Sequence, residues 1–84
     1  MIEVRIYECE PFQPHREFAV VTVDGPAVTI TGEDPFAQRI REIRVIDPDT
    51  GEQISADSDP QRWAELLPTA YRTPYVRATI TRPA

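Results

Sequence analysis

The most reactive side chains sit close together near the start of the chain. Cys9 and His15 are its only cysteine and its only histidine. A thiol beside an imidazole is a nucleophile–base couple, and both groups are zinc ligands. Glu8, Glu10 and Glu17 surround them and add carboxylates. Zinc wants four protein ligands, or three and a water. A Cys–His couple wants a third group to orient the imidazole and donors for an oxyanion. The sequence identifies neither. The 8–17 segment therefore stands as the place where a small enzyme or ligand binder would keep its chemistry. No catalytic residue, metal ligand or cofactor is assigned from it.

Asp49-Thr50-Gly51 is the string found at the catalytic loop of aspartic proteases, where two aspartates meet and share one proton. A single copy would need a homodimer. Small or apolar residues should follow it, whereas here Glu52-Gln53 follow, and the 33 residues after Gly51 are too few for such a lobe. Asp47 and Asp49 also suggest a calcium loop. That loop needs an acid or amide where Gly51 stands and a glutamate where Ser58 stands. Phosphoaspartate chemistry would need a different residue at 51 and a larger fold. A turn accounts for the whole run, with Pro48 early and Gly51 at a left-handed position. Gly25, Gly32 and Gly51 are the only glycines, each at an expected turn or element boundary, so no phosphate loop is present. With serine only at 55 and 58, there is no serine-hydrolase elbow either.

Recognition chemistry concentrates elsewhere. The only tryptophan, Trp63, stands with Tyr71, Tyr75, Arg62, Arg72, Arg77 and Arg82 in the last third of the chain. Trp, Tyr and Arg dominate binding hot spots. Residues 61–84 carry four Arg and one Glu, net +3, whereas residues 1–60 carry five Arg and thirteen acids, net −8. Trp63, Leu66, Leu67, Ala70 and Tyr71 follow helical spacing, which makes them the inner face of a helix. Arg62, Arg72, Tyr75, Arg77 and Arg82 are left as candidate interaction residues. They suit an acidic partner, or the acidic half of a second copy. The competing expectation is internal neutralisation, with these arginines paired to Glu3, Glu8 or Glu17 on neighbouring strands.

The elements that carry these residues follow from periodicity. Eight Ile and seven Val against two Leu favour strands. Ile2, Val4 and Ile6 alternate with Glu3, Arg5 and Tyr7, a half-buried first strand. Phe18 to Val23 and Ala27 to Thr31 read as a second and a third. Pro26 argues for a four-residue loop over 24–27, closed by Val23 opposite Val28, with Val21, Val23, Val28 and Ile30 on one face. Asp34 caps a helix with Pro35 first, and Phe36, Ala37, Ile40 and Ile43 form its inner face. It ends near Ile43 or Arg44. Val45 then pairs opposite Ile54 across the turn, in a strand over 52–55. A second helix opens either with Asp59 as cap and Pro60 first, or with a Ser58–Gln61 capping box. Pro68 should stop it near Leu67, followed by a turn to about Arg72. Val76, Ala78 and Ile80 alternate with Arg77, Thr79 and Thr81 in a last strand, with the latter three facing outward.

The order β-β-β-α-β-β-α-β predicts one compact α+β domain over 1–84. It has a mostly antiparallel sheet of four to six short strands with two short helices on one face. The last strand is a candidate partner for the first. The net charge of −5 disfavours nucleic acid and anionic membrane, although the Arg/Tyr cluster is where a nucleic acid would make contact. No apolar run approaches a membrane span, the opening residues do not read as a signal peptide, and one cysteine forms no internal disulfide. A bacterial-type cytoplasm is the expected location. The expected function is a small non-enzymatic interaction, regulatory or accessory module whose partner is another protein or a second copy of itself.

Overall fold

The computed structural model describes residues 1–8, 16–33, 35–72 and 76–82. Cys9, Glu10, His15, Asp34 and Tyr75 lie outside the described residues, so the expectations that rest on them are not addressed below.

Alternation does what the sequence asks of β1 (Ile2–Glu8). Ile2, Val4 and Ile6 are buried, while Arg5 is exposed. β2 (Arg16–Asp24) runs antiparallel to β1, and β3 (Ala27–Gly32) antiparallel to β2. Val23 lies opposite Val28 as expected, but the pairing continues to Asp24 opposite Ala27. The loop therefore shrinks from four residues to Gly25-Pro26. Gly25 takes φ 59° at the first turn position, and Pro26 occupies the second, where its missing N–H is not needed by the ladder.

β2 also begins two residues earlier than its apolar pattern, because it contains a bulge. Ile6 faces Ala19 but Tyr7 faces Glu17, so Phe18 is the extra residue. The bulge dictates Gly32 on the neighbouring strand. A Cβ there would lie 2.7 Å from the Ala19 Cβ and run into the Phe18 carbonyl oxygen.

β6 (Val76–Thr81) closes the sheet beside β1, antiparallel, in the order β3-β2-β1-β6. One row across the covered face reads Ile30, Val21, Val4, Ile80. Two helices pack on this face: α1 (Phe36–Glu42) against β2 and β3, and α2 (Pro60–Ala70) against β1, β2 and β6. In α1, Ala37 and Ile40 are buried. The Phe36 ring stands 4.9 Å from Phe18 and 6.4 Å from Tyr71, centre to centre. Pro35 sits one position before the helix instead of inside it, within the usual latitude of helix ends.

Between the helices, β4 (Val45–Ile46) and β5 (Gln53–Ile54) form a two-stranded ribbon with Val45 opposite Ile54, as expected. Of the two openings foreseen for α2, the Asp59 cap is the one formed. Its Oδ1 accepts from the Arg62 N–H at 3.2 Å, with Pro60 in the first turn. Ser58 instead faces back. Its hydroxyl accepts from the Ser55 N–H, and the Ser55 hydroxyl accepts from the Ser58 N–H.

Pro68 corrects the sequence reading. The helix does not stop near Leu67; it runs to Ala70, and the Tyr71 N–H donates to the Leu67 carbonyl at 3.0 Å. Proline removes one bond, to Ala64. Burial of Trp63, Ala64, Leu66 and Leu67, with Tyr71 packed on the same core, holds the final turn in place.

Candidate interaction surface

The four described arginine candidates do not form one cluster, and Tyr75 lies outside the described residues. Arg62 lies in the first turn of α2, on the covered side. Its Nε and Nη2 donate to the two carboxylate oxygens of Asp47, each at 3.0 Å, in a forked pair. Nη2 also reaches Asp49 Oδ2 at 3.1 Å, and Nη1 lies 3.6 Å from Glu65. Arg82 continues past the end of β6 with covered-side parity and meets the same Glu65 at 3.2 Å. Arg62 and Arg82 are therefore brought together, joined through one carboxylate. Arg72 is exposed just beyond α2. Arg77 lies on the other face of the sheet, opposite Tyr7 of β1.

The Asp47–Arg62 pair explains the 47–51 turn. Asp47 is buried, at 6% exposure, and also accepts the Asp49 N–H at 2.9 Å. Gly51 closes the loop with φ 74° and an N–H bond to the Asp47 carbonyl at 2.7 Å. The Arg62 guanidinium, then the Asp49 N–H, hold the Asp47 carboxyl below the usual carboxylate range, while Asp47 pushes Arg62 up. Asp49, the aspartate of the protease-like string, is paired to a cation in a hairpin turn. Beside it, Trp63 is fully buried and its Nε1–H donates to the Ile43 carbonyl at 2.9 Å. Asp47 and Trp63 are buried in this corner, while Asp49 stays on its open side. Among the described residues no buried side-chain nitrogen or oxygen lacks a partner.

For Arg62 and Arg82 internal neutralisation occurs with partners other than Glu3, Glu8 and Glu17. Glu3 and Glu17 bind Arg5, at 2.7 Å each, whereas Arg62 and Arg82 take Asp47, Asp49 and Glu65. Among the described residues, no three acids, cysteines or histidines gather as a metal-ligand set. Burial raises the Tyr71 hydroxyl above its ordinary value.

Among the described residues, the other face of the sheet carries no helix. Glu3, Arg5 and Tyr7 of β1 lie between Thr22 and Glu17 of β2 and Thr81, Thr79 and Arg77 of β6. Arg5, Tyr7, Glu17 and Thr79 line a shallow depression of ≈ 340 Å³ on it. Arg5 and Tyr7 were not singled out from sequence, although their opposite parity to Val4 and Ile6 was the available signal. Each edge strand of the sheet has one helix packed against it, α1 on β3 and α2 on β6. At β3, α1 lies alongside, and Arg41 donates to the Val28 carbonyl at 3.4 Å while pairing with Asp57. At β6, only β1 and α2 pack closely among the described residues, and no second strand adjoins it.

No described helix is long and apolar enough to cross a membrane. No family model, curated protein or solved structure matches the chain.

Proposed function

We propose that this chain is a small non-enzymatic interaction module, acting in the cytoplasm as an accessory or regulatory subunit. It touches its partner through the β1–β6 side of its sheet. The observation that supports this reading is the gathering of Arg, Tyr and Thr side chains on the face of the sheet that carries no helix. On the helix side Arg41, Arg62 and Arg82 pair with the chain's own acids, and no buried side-chain polar atom is unsatisfied among the described residues. The other side presents Arg5, ion-paired to Glu3 and Glu17, with Tyr7, Thr79 and Arg77 on paired strands, next to a sheet edge that no further strand adjoins among the described residues. Arg and Tyr on a rigid surface suit protein recognition. The partner is another protein or a second copy.

Size-exclusion chromatography with mass determination, together with affinity capture, tests the proposal. Self-association or capture of a defined partner is expected, with loss on Arg77→Glu and no loss of folded signal by circular dichroism. A monomer that retrieves no partner overturns it.

A further inference from the structure

We propose that Asp24 is a modification site: in the folded protein its carboxyl cyclises onto the Gly25 nitrogen, and the turn between β2 and β3 is converted to isoaspartate. The chemistry is intrinsic to the chain and independent of the interaction-module reading.

The step needs an aspartate whose carboxyl is free, an N–H on the next residue, and room between them. Asp34, Asp47 and Asp59 are each followed by proline, whose nitrogen has no hydrogen to lose. Asp49 is held by Arg62 at 3.1 Å and precedes Thr50, whose branched Cβ crowds the approach. Asp57 is held by Arg41 at 3.1 Å. The nitrogen it would need, that of Ser58, donates to the Ser55 hydroxyl at 3.1 Å.

Asp24 differs on every count. It is exposed, and among the described residues its carboxylate has no hydrogen-bond or ion-pair partner. Gly25 has no side chain, and nothing lies within 4 Å of where a Cβ would stand. With φ 59° it occupies the first turn position, outside the Asp24–Ala27 pair. Among the described residues no carbonyl accepts its N–H.

The Gly25 nitrogen loses its proton and bonds to Asp24 Cγ, and a carboxyl oxygen leaves as water. The product is a five-membered imide. Water then adds to either imide carbonyl. Breaking the new C–N bond returns aspartate. Breaking the original one sends the chain through the side-chain carbon and frees an α-carboxylate. One water leaves and one enters, so composition is unchanged and no redox partner is needed. The backbone gains a methylene in a two-residue turn, which disturbs the Asp24–Ala27 pair that closes it.

The test ages the folded protein at neutral pH and cuts it with trypsin. Fragment 17–39 then carries Asp24 as its sole aspartate followed by an N–H, whereas fragment 45–62 carries both Asp49 and Asp57. Methylation by an isoaspartyl methyltransferase with labelled S-adenosylmethionine should mark 17–39 severalfold more than 45–62. Asp24→Glu, which would need a six-membered ring, should lose the signal with unchanged circular dichroism. Asp24→Asn should react severalfold faster, because an amide loses ammonia more readily than a carboxyl loses water, and should take on the mass of the acid. Equal labelling of the two fragments overturns the proposal. So does labelling of 17–39 that appears only when the chain is aged in denaturant, or an Asp24→Asn protein that keeps its amide, since either means that the folded turn bars ring closure.

Discussion

Arg62 and Arg77 come from one Arg-rich stretch of sequence and end in opposite settings. Arg62 enters a closed corner, where the 47–51 turn docks on the start of α2 and two carboxylates fork onto its guanidinium. Arg77 emerges on the bare face of an edge strand. Composition treats them alike. What separates them is the side of the sheet on which the fold places them: Arg62 against the buried Asp47, Arg77 on an exposed strand position. A buried, forked ion pair stabilises a corner, whereas a cation on an exposed strand contributes less to stability. The sheet between them turns one apparent cluster into two regions with different roles.

The sharpest way to break this contrast is to open the corner. Trp63 is its largest buried side chain and holds the Ile43 carbonyl. Trp63→Ala should lose about 3–5 kcal/mol in denaturant unfolding, most of the stability of a small domain. Trp63→Phe retains much of the apolar volume but orphans the Ile43 carbonyl, and should lose about 1–3 kcal/mol. If Trp63→Ala cost no more than a surface substitution, the corner would not be the closed region described.

The next effect has the opposite sign. Pro68→Ala restores the N–H that α2 lacks toward Ala64 and should stabilise the protein, by at most about 3 kcal/mol, the helix-propensity difference between the two residues. A rise in the denaturation midpoint is expected. A fall would mean that the ring packs more favourably than the missing bond costs, and that the corner is better fitted than its backbone suggests.

Pro68 also marks how far the sequence could be read. Element order, the Val45–Ile54 pairing and the inner faces of both helices were legible, because each follows from periodicity or a local turn. The closing of β6 on β1 was legible as a tie for a terminal strand. The extent of α2 was not, because a local rule about proline was outweighed by burial of Trp63, Leu66 and Leu67. The bulge at Phe18 was invisible for a similar reason. Its cause lies in the fit of β2 between β1 and β3, and Gly32 is its only trace in the sequence. The role of Arg62 was hidden because Asp47 lies fifteen residues away and its turn looked complete without a cation. Parity correctly placed Arg77, Thr79 and Thr81 outward, so half of the candidate surface was visible before the fold and the other half only after it.

Acid should loosen the corner and leave the edge alone. The Asp47 carboxyl titrates below its unfolded value in the folded protein, so the folded state binds fewer protons there than the unfolded state does. Its contribution is complete above the unfolded carboxylate value of about 3.9. It is lost as pH falls through the depressed folded value. Asp47→Asn should therefore be less stable than the parent at neutral pH, with the gap closing in acid. Thermal unfolding of both proteins across this range would show it. A gap that stayed constant with pH would assign the loss to the turn hydrogen bond at Asp49 and not to the ion pair.

The smallest expected effect separates the two arginines that share Glu65. Arg82 is largely exposed, with 62% of its side chain open to water, and has a single carboxylate partner at 3.2 Å. An exposed pair gains little, because water screens it and holding two long side chains costs entropy. Arg82→Ala should therefore lose only about 0.2–1 kcal/mol. Double-mutant cycles with Glu65→Ala should show a coupling that fades as salt is raised. In a separate cycle with Asp47→Ala, Arg62 should keep its coupling in high salt, because Asp47 is buried beside it. If both couplings fade together, Arg62 is as exposed in solution as Arg82, and the corner is no more closed than the edge.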